Sequence, residues 1–160
     1  MQKHYRTGEV FPYLGEKYPL EVRVSAARAK TAGIADGKLL VFVESAEEAK
    51  VQEVLFDWYK KQAKKWIAAR VRFYAQMMGE TVNRITIKNQ KKRWGSCSSA
   101  RNVNFNWRLI LYAQEAIDYV VVHELCHLKQ MNHSKAFWKE VANILPDYKA
   151  RKAMLREELL

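Results

Sequence analysis

The segment IDYVVVHELCHLKQMNHSKAFW, residues 117–138, constrains the fold more than any other part of the chain. His123 and His127 stand four apart, hence on one face of a helix, and the apolar run Val120–Val122 before them makes that helix a buried one. Two imidazoles and the carboxylate of Glu124 would be costly there without a partner. A metal ion meets that demand. Two imidazole nitrogens at i and i+4 reach one ion, while Glu124, directly after the first ligand, lies beside it without binding it. A carboxylate so placed takes a proton from a metal-activated water and hands it on to a leaving group. With 4 His and 13 Glu in 160 residues, an HExxH pattern arises by chance in roughly one such chain per hundred.

A third ligand is needed. His133 is six residues past His127, and a continued helix would carry it about 240° around the axis. The helix therefore has to end first, and Asn132, tolerant of left-handed backbone, is the expected break. Glu140, on the following helix, is the alternative, as a carboxylate ligand. Three protein ligands leave a tetrahedral Zn2+ one open position for water, the pattern of a catalytic site. One zinc ion is the expected cofactor. Cys126 shares the helix but points away from the histidines. Cys97 has no base near it in sequence, so a Cys-His nucleophile pair is not favoured.

The rest of the chain is read from its periodicity. YLGEKYPLEVRVSA and GKLLVFVES form two paired strands within residues 1–45, with TAGIADG as the turn between them. Ser45 and Glu48 have capping-box spacing and open a long amphipathic helix over 46–79, which Gly79 ends. Leu55, Phe56, Tyr59, Ala63, Trp66, Ile67, Phe73, Tyr74 and Met77 make its core stripe. Lys60, Lys61, Lys64, Lys65 and Arg72 cluster on another face, and Arg70 projects from the apolar side, either paired or snorkelling. Residues 84–111 alternate in short runs and read as three strands with RWGSC between them. Residues 114–160 are helical, with interruptions near Asn132 and at Pro146. Strands, helix, strands, helices in that order favour an α+β fold over a doubly wound parallel sheet.

Charge adds a second constraint. The net charge is +11, and residues 57–112 carry all of it, with 13 Lys/Arg against 2 Asp/Glu, while both flanking segments are balanced. Such a concentrated excess suits an anionic partner, a nucleic acid or a nucleotide, or else is a solvated helix face. With 160 residues and 49% apolar content, one domain with its own core is expected. Two cysteines, no signal-like apolar start and no apolar run near ~18 residues point to a reducing cytoplasm and away from a membrane.

RWGSCSS followed by NFNWRLI, then IDYVVVHELCHLKQMNHSKAFW and PDYKARKAML, resembles the YgjP-like metallopeptidase family, predicted zinc-dependent hydrolases related to WLM and SprT-like peptidases. The likeness runs over nearly the whole chain. It implies a small zincin-like domain with a short, mainly antiparallel sheet and an HExxH active-site helix followed by C-terminal helices. It also implies zinc on His123, His127 and His133 with Glu124 as general base. Metzincins share the histidine spacing but have glycine where Gln130 stands. In the family order a further N-terminal β segment is expected ahead of this chain, and proline is common where Ala113 stands.

Other residues follow as expectations. Arg93 and Trp94 stand at the cleft mouth as substrate-binding residues, Arg93 meeting a carboxylate or phosphate. The structural alternative pairs Arg93 with Asp118 and packs Trp94 in the core. The Val103–Leu109 strand is the expected sheet edge, onto which an extended peptide adds. Phe137 and Trp138 pack the helix after His133 against the core, and Tyr119 or Tyr148 stabilises an oxyanion. A zinc metallopeptidase acting on a peptide or protein leads. A metal-dependent nucleotide or phosphate-ester hydrolase and a nucleic-acid-binding module with a structural metal are the alternatives.

Overall fold

Left-handed backbone at Leu14–Gly15 and at Asp36–Gly37 closes two hairpins in the computed structural model, which describes residues 2–160. Positive φ at both central residues is the requirement of a two-residue type I′ turn. The first turn joins β1 (Val10–Tyr13) to β2 (Glu16–Val24), and the second joins β3 (Thr31–Ala35) to β4 (Lys38–Val43). The strand order is β1-β2-β4-β3, with β2 and β4 parallel. The expected turn TAGIADG is thus a strand along most of its length: Thr31–Ala35 pairs antiparallel with β4, and only Asp36 and Gly37 turn. Its small, largely exposed residues carry no alternation that would have marked it as a strand. In β4, by contrast, Leu39, Val41 and Val43 are buried at alternate positions.

The spine of the molecule is α1 (Glu48–Met78). Ser45 lies outside it. Its hydroxyl accepts from the Glu47 amide at 3.3 Å, and Glu47 is the N-cap, so the capping-box reading starts the helix two residues early. Gly79 closes it at φ 67°, as its position predicts. Val51, Leu55, Tyr59, Ala63, Ile67 and Val71 are buried. Each step of four residues advances this row about 40° around the helix. The buried face therefore winds, and Phe73 and Met77, aligned with the stripe of the first turns, end at 50% and 57% exposure. Near the middle of α1, Tyr59 donates to the Pro12 carbonyl at 2.6 Å and stacks on Trp107.

A second sheet holds β5 (Arg84–Lys88), β6 (Gly95–Cys97) and β7 (Asn102–Asn106) in the order β5-β7-β6. β5 and β7 run parallel and β6 runs antiparallel to β7. Both sheets are mixed: three of the five strand pairings are antiparallel, in line with the expected mainly antiparallel pairing, and the two parallel ones use long crossovers. The strand expected over Val103–Leu109 stops at Asn106, whose side chain accepts from the Arg108 amide at 3.0 Å and starts a 3-10 turn, Trp107–Leu111. β7 is central, so the edge strands are β5 and β6 and not Val103–Leu109. The chain then forms α2 (Gln114–Cys126), α3 (Lys135–Ile144) and α4 (Tyr148–Ala153), with a last 3-10 turn over Met154–Arg156. This is the expected α+β order. Among the described residues no helix is long and apolar enough to cross a membrane.

Candidate metal centre

Nearly every residue of α2 from Ala116 to Cys126 is buried, with Val121, Val122 and Leu125 fully so. One buried carboxylate on this helix is fully accounted for. Asp118 receives Arg70 Nε and Nη2 at 2.9 Å each and the Tyr74 hydroxyl at 2.9 Å. Arg70 is therefore paired, and the expected alternative of an Arg93–Asp118 pair does not form. The clamp ties α1 to α2 five residues before His123.

α2 ends at Cys126, with His127 as its C-cap in right-handed conformation. Gln130 N–H closes back on Cys126 O at 3.0 Å, and the chain reverses without left-handed backbone at Asn132. The break comes about five residues earlier than expected and by tightened turns. Ser134 then caps α3, its hydroxyl accepting from the Phe137 amide at 3.3 Å. These two ends bring His133 back over α2.

His123, His127 and His133 each present a ligand nitrogen, and all three nitrogens lie within 4.8 Å of one another. His127 Nε2 and His133 Nε2 are 3.0 Å apart. His127 Nδ1 lies 2.9 Å from the Gln130 carbonyl. A proton on that nitrogen would leave Nε2 as the free lone pair, the outer-sphere arrangement that orients metal-binding imidazoles. His133 is held below the ordinary imidazole value, first by desolvation, then by the rings of His127 and His123, with Glu124 opposing and Lys152 adding. It therefore offers a neutral ligand at neutral pH. Phe137, fully buried, packs against all three imidazoles at 4.4 to 5.1 Å between ring centres. The donor set, its convergence and its outer-sphere bond fit a metal ion. Glu140 is outside the cluster. It faces Lys129 at 3.5 Å.

Glu124 is buried, at 5% exposure, with Oε2 3.2 Å from His123 Nδ1. Opposite it lies Gly95, on the edge strand β6. A Cβ there would sit 3.0 Å from Glu124 Cγ and 3.0 Å from the Asn104 carbonyl, so only glycine lets β6 approach the carboxylate this closely. RWGSC carries that signal in its glycine, although the sequence alone places the segment only as a link between strands.

A cleft of about 760 Å³ opens between β6, α2 and the C-terminal helices. Arg93 and Trp94 line it. The Asn106 amide donates to the Gln90 and Arg93 carbonyls at 2.6 and 3.1 Å and fixes the loop that carries both. Trp94 is half-buried and sets its ring edge-on to Tyr112 at 5.0 Å, so it both packs and lines the cleft. Trp138 stacks on His133 at 5.8 Å and on Tyr148 at 5.4 Å. Of the two tyrosines considered, Tyr119 lines the cleft, its phenol pushed up to about 12, chiefly by burial and then by Glu124. Cys97 lines the cleft too, but burial and then Glu124 push its thiol up to about 11, so it is no thiolate at neutral pH. Cys126 is fully buried. Met131, Lys152, Leu155 and Arg156 also line the cleft; the first three stand inside segments that carry the family resemblance, but nothing in the sequence marks any of the four as a site residue.

The sequence pattern of a family described as YgjP-like, metallopeptidase domain, matches residues 1–158. No curated protein matches the chain. Among solved structures, the metallopeptidase zymogen of Pyrococcus abyssi abylysin is similar at 21% identity and a TM-score of 0.51, over 56% of this chain and 90% of that one. The metallopeptidase zymogen of Methanocaldococcus jannaschii jannalysin is similar at 24% identity and a TM-score of 0.51, over 59% of this chain and 97% of that one. These likenesses concern the fold. None of the comparisons supports a nucleic-acid partner.

Proposed function

The chain belongs to the YgjP-like metallopeptidase domain family, and on that footing we propose that it is a zinc-dependent peptidase whose general base is Glu124. The observation that carries this reading is the convergence of His123, His127 and His133 at one point, with Glu124 beside them and a cleft in front. Bound by these three residues, zinc would supply Lewis-acid polarisation of the scissile carbonyl and of water. The chain's own groups do the remainder. β6, as an edge strand lining the cleft, offers backbone hydrogen bonds to an extended peptide and so orients the bond to be cut. Glu124 accepts the proton of the attacking water and carries it to the departing amine. The Tyr119 hydroxyl, neutral at pH 7, is a donor for the oxyanion.

The test is hydrolysis of an unfolded polypeptide by the zinc-loaded chain. Cleavage is expected, lost on chelation, restored by zinc and slowed in Tyr119→Phe. A panel of nucleoside triphosphates and phosphate monoesters should show no metal-dependent turnover. Turnover there without peptide cleavage would replace the reading by the phosphate-ester alternative.

Gly95→Ala sharpens the geometry. The added methyl meets the Asn104 carbonyl and Glu124 Cγ, so β6 and the carboxylate have to part by some tenths of an ångström. Misplacement on the ångström scale costs up to about a hundredfold in rate. A fall in kcat of roughly ten- to a hundredfold with unchanged zinc affinity is expected. Full activity would show that the close approach of Gly95 has no part in catalysis.

A further inference from the structure

The C-terminal third of the chain is balanced in charge, with 7 Lys/Arg and 7 Asp/Glu over residues 113–160, but its part of the cleft is not. Its acids are mostly spent elsewhere. Asp118 binds Arg70, Glu140 faces Lys129, and Asp147 pairs with Arg151. Glu157 and Glu158 line an adjoining cavity, which shares Arg93, Trp94, Leu155 and Arg156 with the cleft, and neither forms an ion pair with those arginines. Two cations of the same third, Lys152 and Arg156, line the metal cleft, and Arg93 joins them from the loop before β6. Glu124 is the one carboxylate among the cleft-lining residues.

None of the three is paired with an acid among the described residues; the Lys152 ammonium lies over an aromatic ring, and Arg93 and Arg156 stand on backbone fixed by neighbouring hydrogen bonds. Lys152 Nζ sits 5.5 Å from the centre of the Trp138 ring, which itself stacks on His133, so this ammonium is one indole away from the histidine cluster. Arg156 ends the last 3-10 turn, and the next carbonyl, of Glu157, accepts the Tyr112 hydroxyl at 2.6 Å. Tyr112 packs on Trp94, next to Arg93, whose own carbonyl is held by Asn106. Among the described residues none of the three makes an ion pair, and all three are exposed. Three unpaired cations, two from the consecutive C-terminal turns and one from the loop before β6, thus line one cleft whose single carboxylate is the buried Glu124.

We propose that this cleft selects peptides bearing a carboxylate beside the scissile bond, which Arg93, Lys152 and Arg156 receive. This rests on the peptidase reading and adds the substrate class. The same chemistry has two sources, an Asp or Glu side chain or the free carboxyl terminus of the peptide. Forked guanidinium contacts suit either one, and the exposed setting makes the attraction sensitive to salt.

Binding tests this apart from turnover. Four fluorescent peptides of one sequence would be titrated by anisotropy against the zinc-loaded Glu124→Gln chain, with Glu or Gln at one position and a carboxylate or an amide at the C-terminus. The carboxylate forms are expected to bind roughly tenfold more tightly than the Gln-amide form, with the advantage shrinking at 0.5 M salt. Which of the two carboxylates confers it identifies the source. The ratio should collapse toward one in Arg93→Gln/Lys152→Gln/Arg156→Gln and persist in Lys60→Gln/Lys61→Gln/Lys64→Gln, whose lysines line a different groove. Equal affinity for all four peptides, or a preference lost only with the Lys60 group, would overturn the inference. If the preference holds but wild-type chain cleaves none of the peptides, the acidic-ligand site stands and the peptidase reading falls. If all four are cleaved equally with zinc, the reverse is true.

Discussion

Glu124→Gln is expected to lower kcat on a peptide substrate by about a thousandfold or more while zinc still binds at one ion per chain. The amide has the shape of the carboxylate, so the tight fit against Gly95 is kept, and the three clustered nitrogens belong to histidines, so the donor set is untouched. What is lost is the ability to take up a proton. General acid–base groups contribute about 10² to 10⁴ in rate, and in the proposed mechanism Glu124 serves in both halves of the reaction, which puts the expected loss toward the upper end. The measurement pairs kcat with a zinc competition titration on the same preparation. His123→Ala provides the contrast, with metal and activity lost together. Hydrolysis within tenfold of wild type in Glu124→Gln would end the role of this carboxylate as base.

Much of this site was legible because its signals are local. His123, Glu124 and His127 lie within one and a half helical turns, and the apolar run before them already demands a buried helix. The return of His133 was legible as a necessity, yet its means was not. The helix stops at His127 through tightened turns that any residues can make, so no special residue announces them. Strand β3 escaped notice because an edge strand of small exposed residues has no buried face to impose a period of two. Phe73 and Met77 were misassigned because a single stripe was drawn along a helix of 31 residues whose buried face winds from one neighbour to the next. Contacts over long separations were the least legible. Asp118 could be seen to need a partner, but whether that partner was Arg93 or Arg70, 48 residues away, is decided by packing alone.

The distribution of charge shows the same limit. Counting by thirds assigns the basic excess to residues 57–112 and leaves the third that carries the histidine cluster neutral. Folding re-sorts those charges. Acids of the last third are consumed by Arg70, Lys129 and Arg151, and two of the cations left over, Lys152 and Arg156, reach the cleft. Lys60, Lys61 and Lys64, the most conspicuous basic run, line a groove with Lys88 and Trp107 that shares no residue with the cleft. A neutral stretch of sequence can thus form a positive wall.

The pair that absorbs Asp118 is also a point at which the fold is vulnerable. Arg70→Met is expected to destabilise the chain by about 3–5 kcal/mol, because it leaves a buried carboxylate with the Tyr74 hydroxyl as its remaining side-chain partner. For a chain of this size that is a fall in Tm of roughly 6–20 °C. Arg70 and Asp118 make a two-pronged contact from the last third of α1 to the middle of α2, so the loss falls on the helix that carries two of the three histidines. Arg70→Met with Asp118→Leu removes the stranded charge as well, and such apolar replacements of buried pairs are often close to neutral. Most of the stability should then return. Urea unfolding of the four proteins of this cycle, without zinc, measures the coupling directly. If Arg70→Met alone costs less than about 1 kcal/mol, the pair behaves like a surface one, and the position of α2 is set by Val121, Val122 and Leu125 rather than by the clamp.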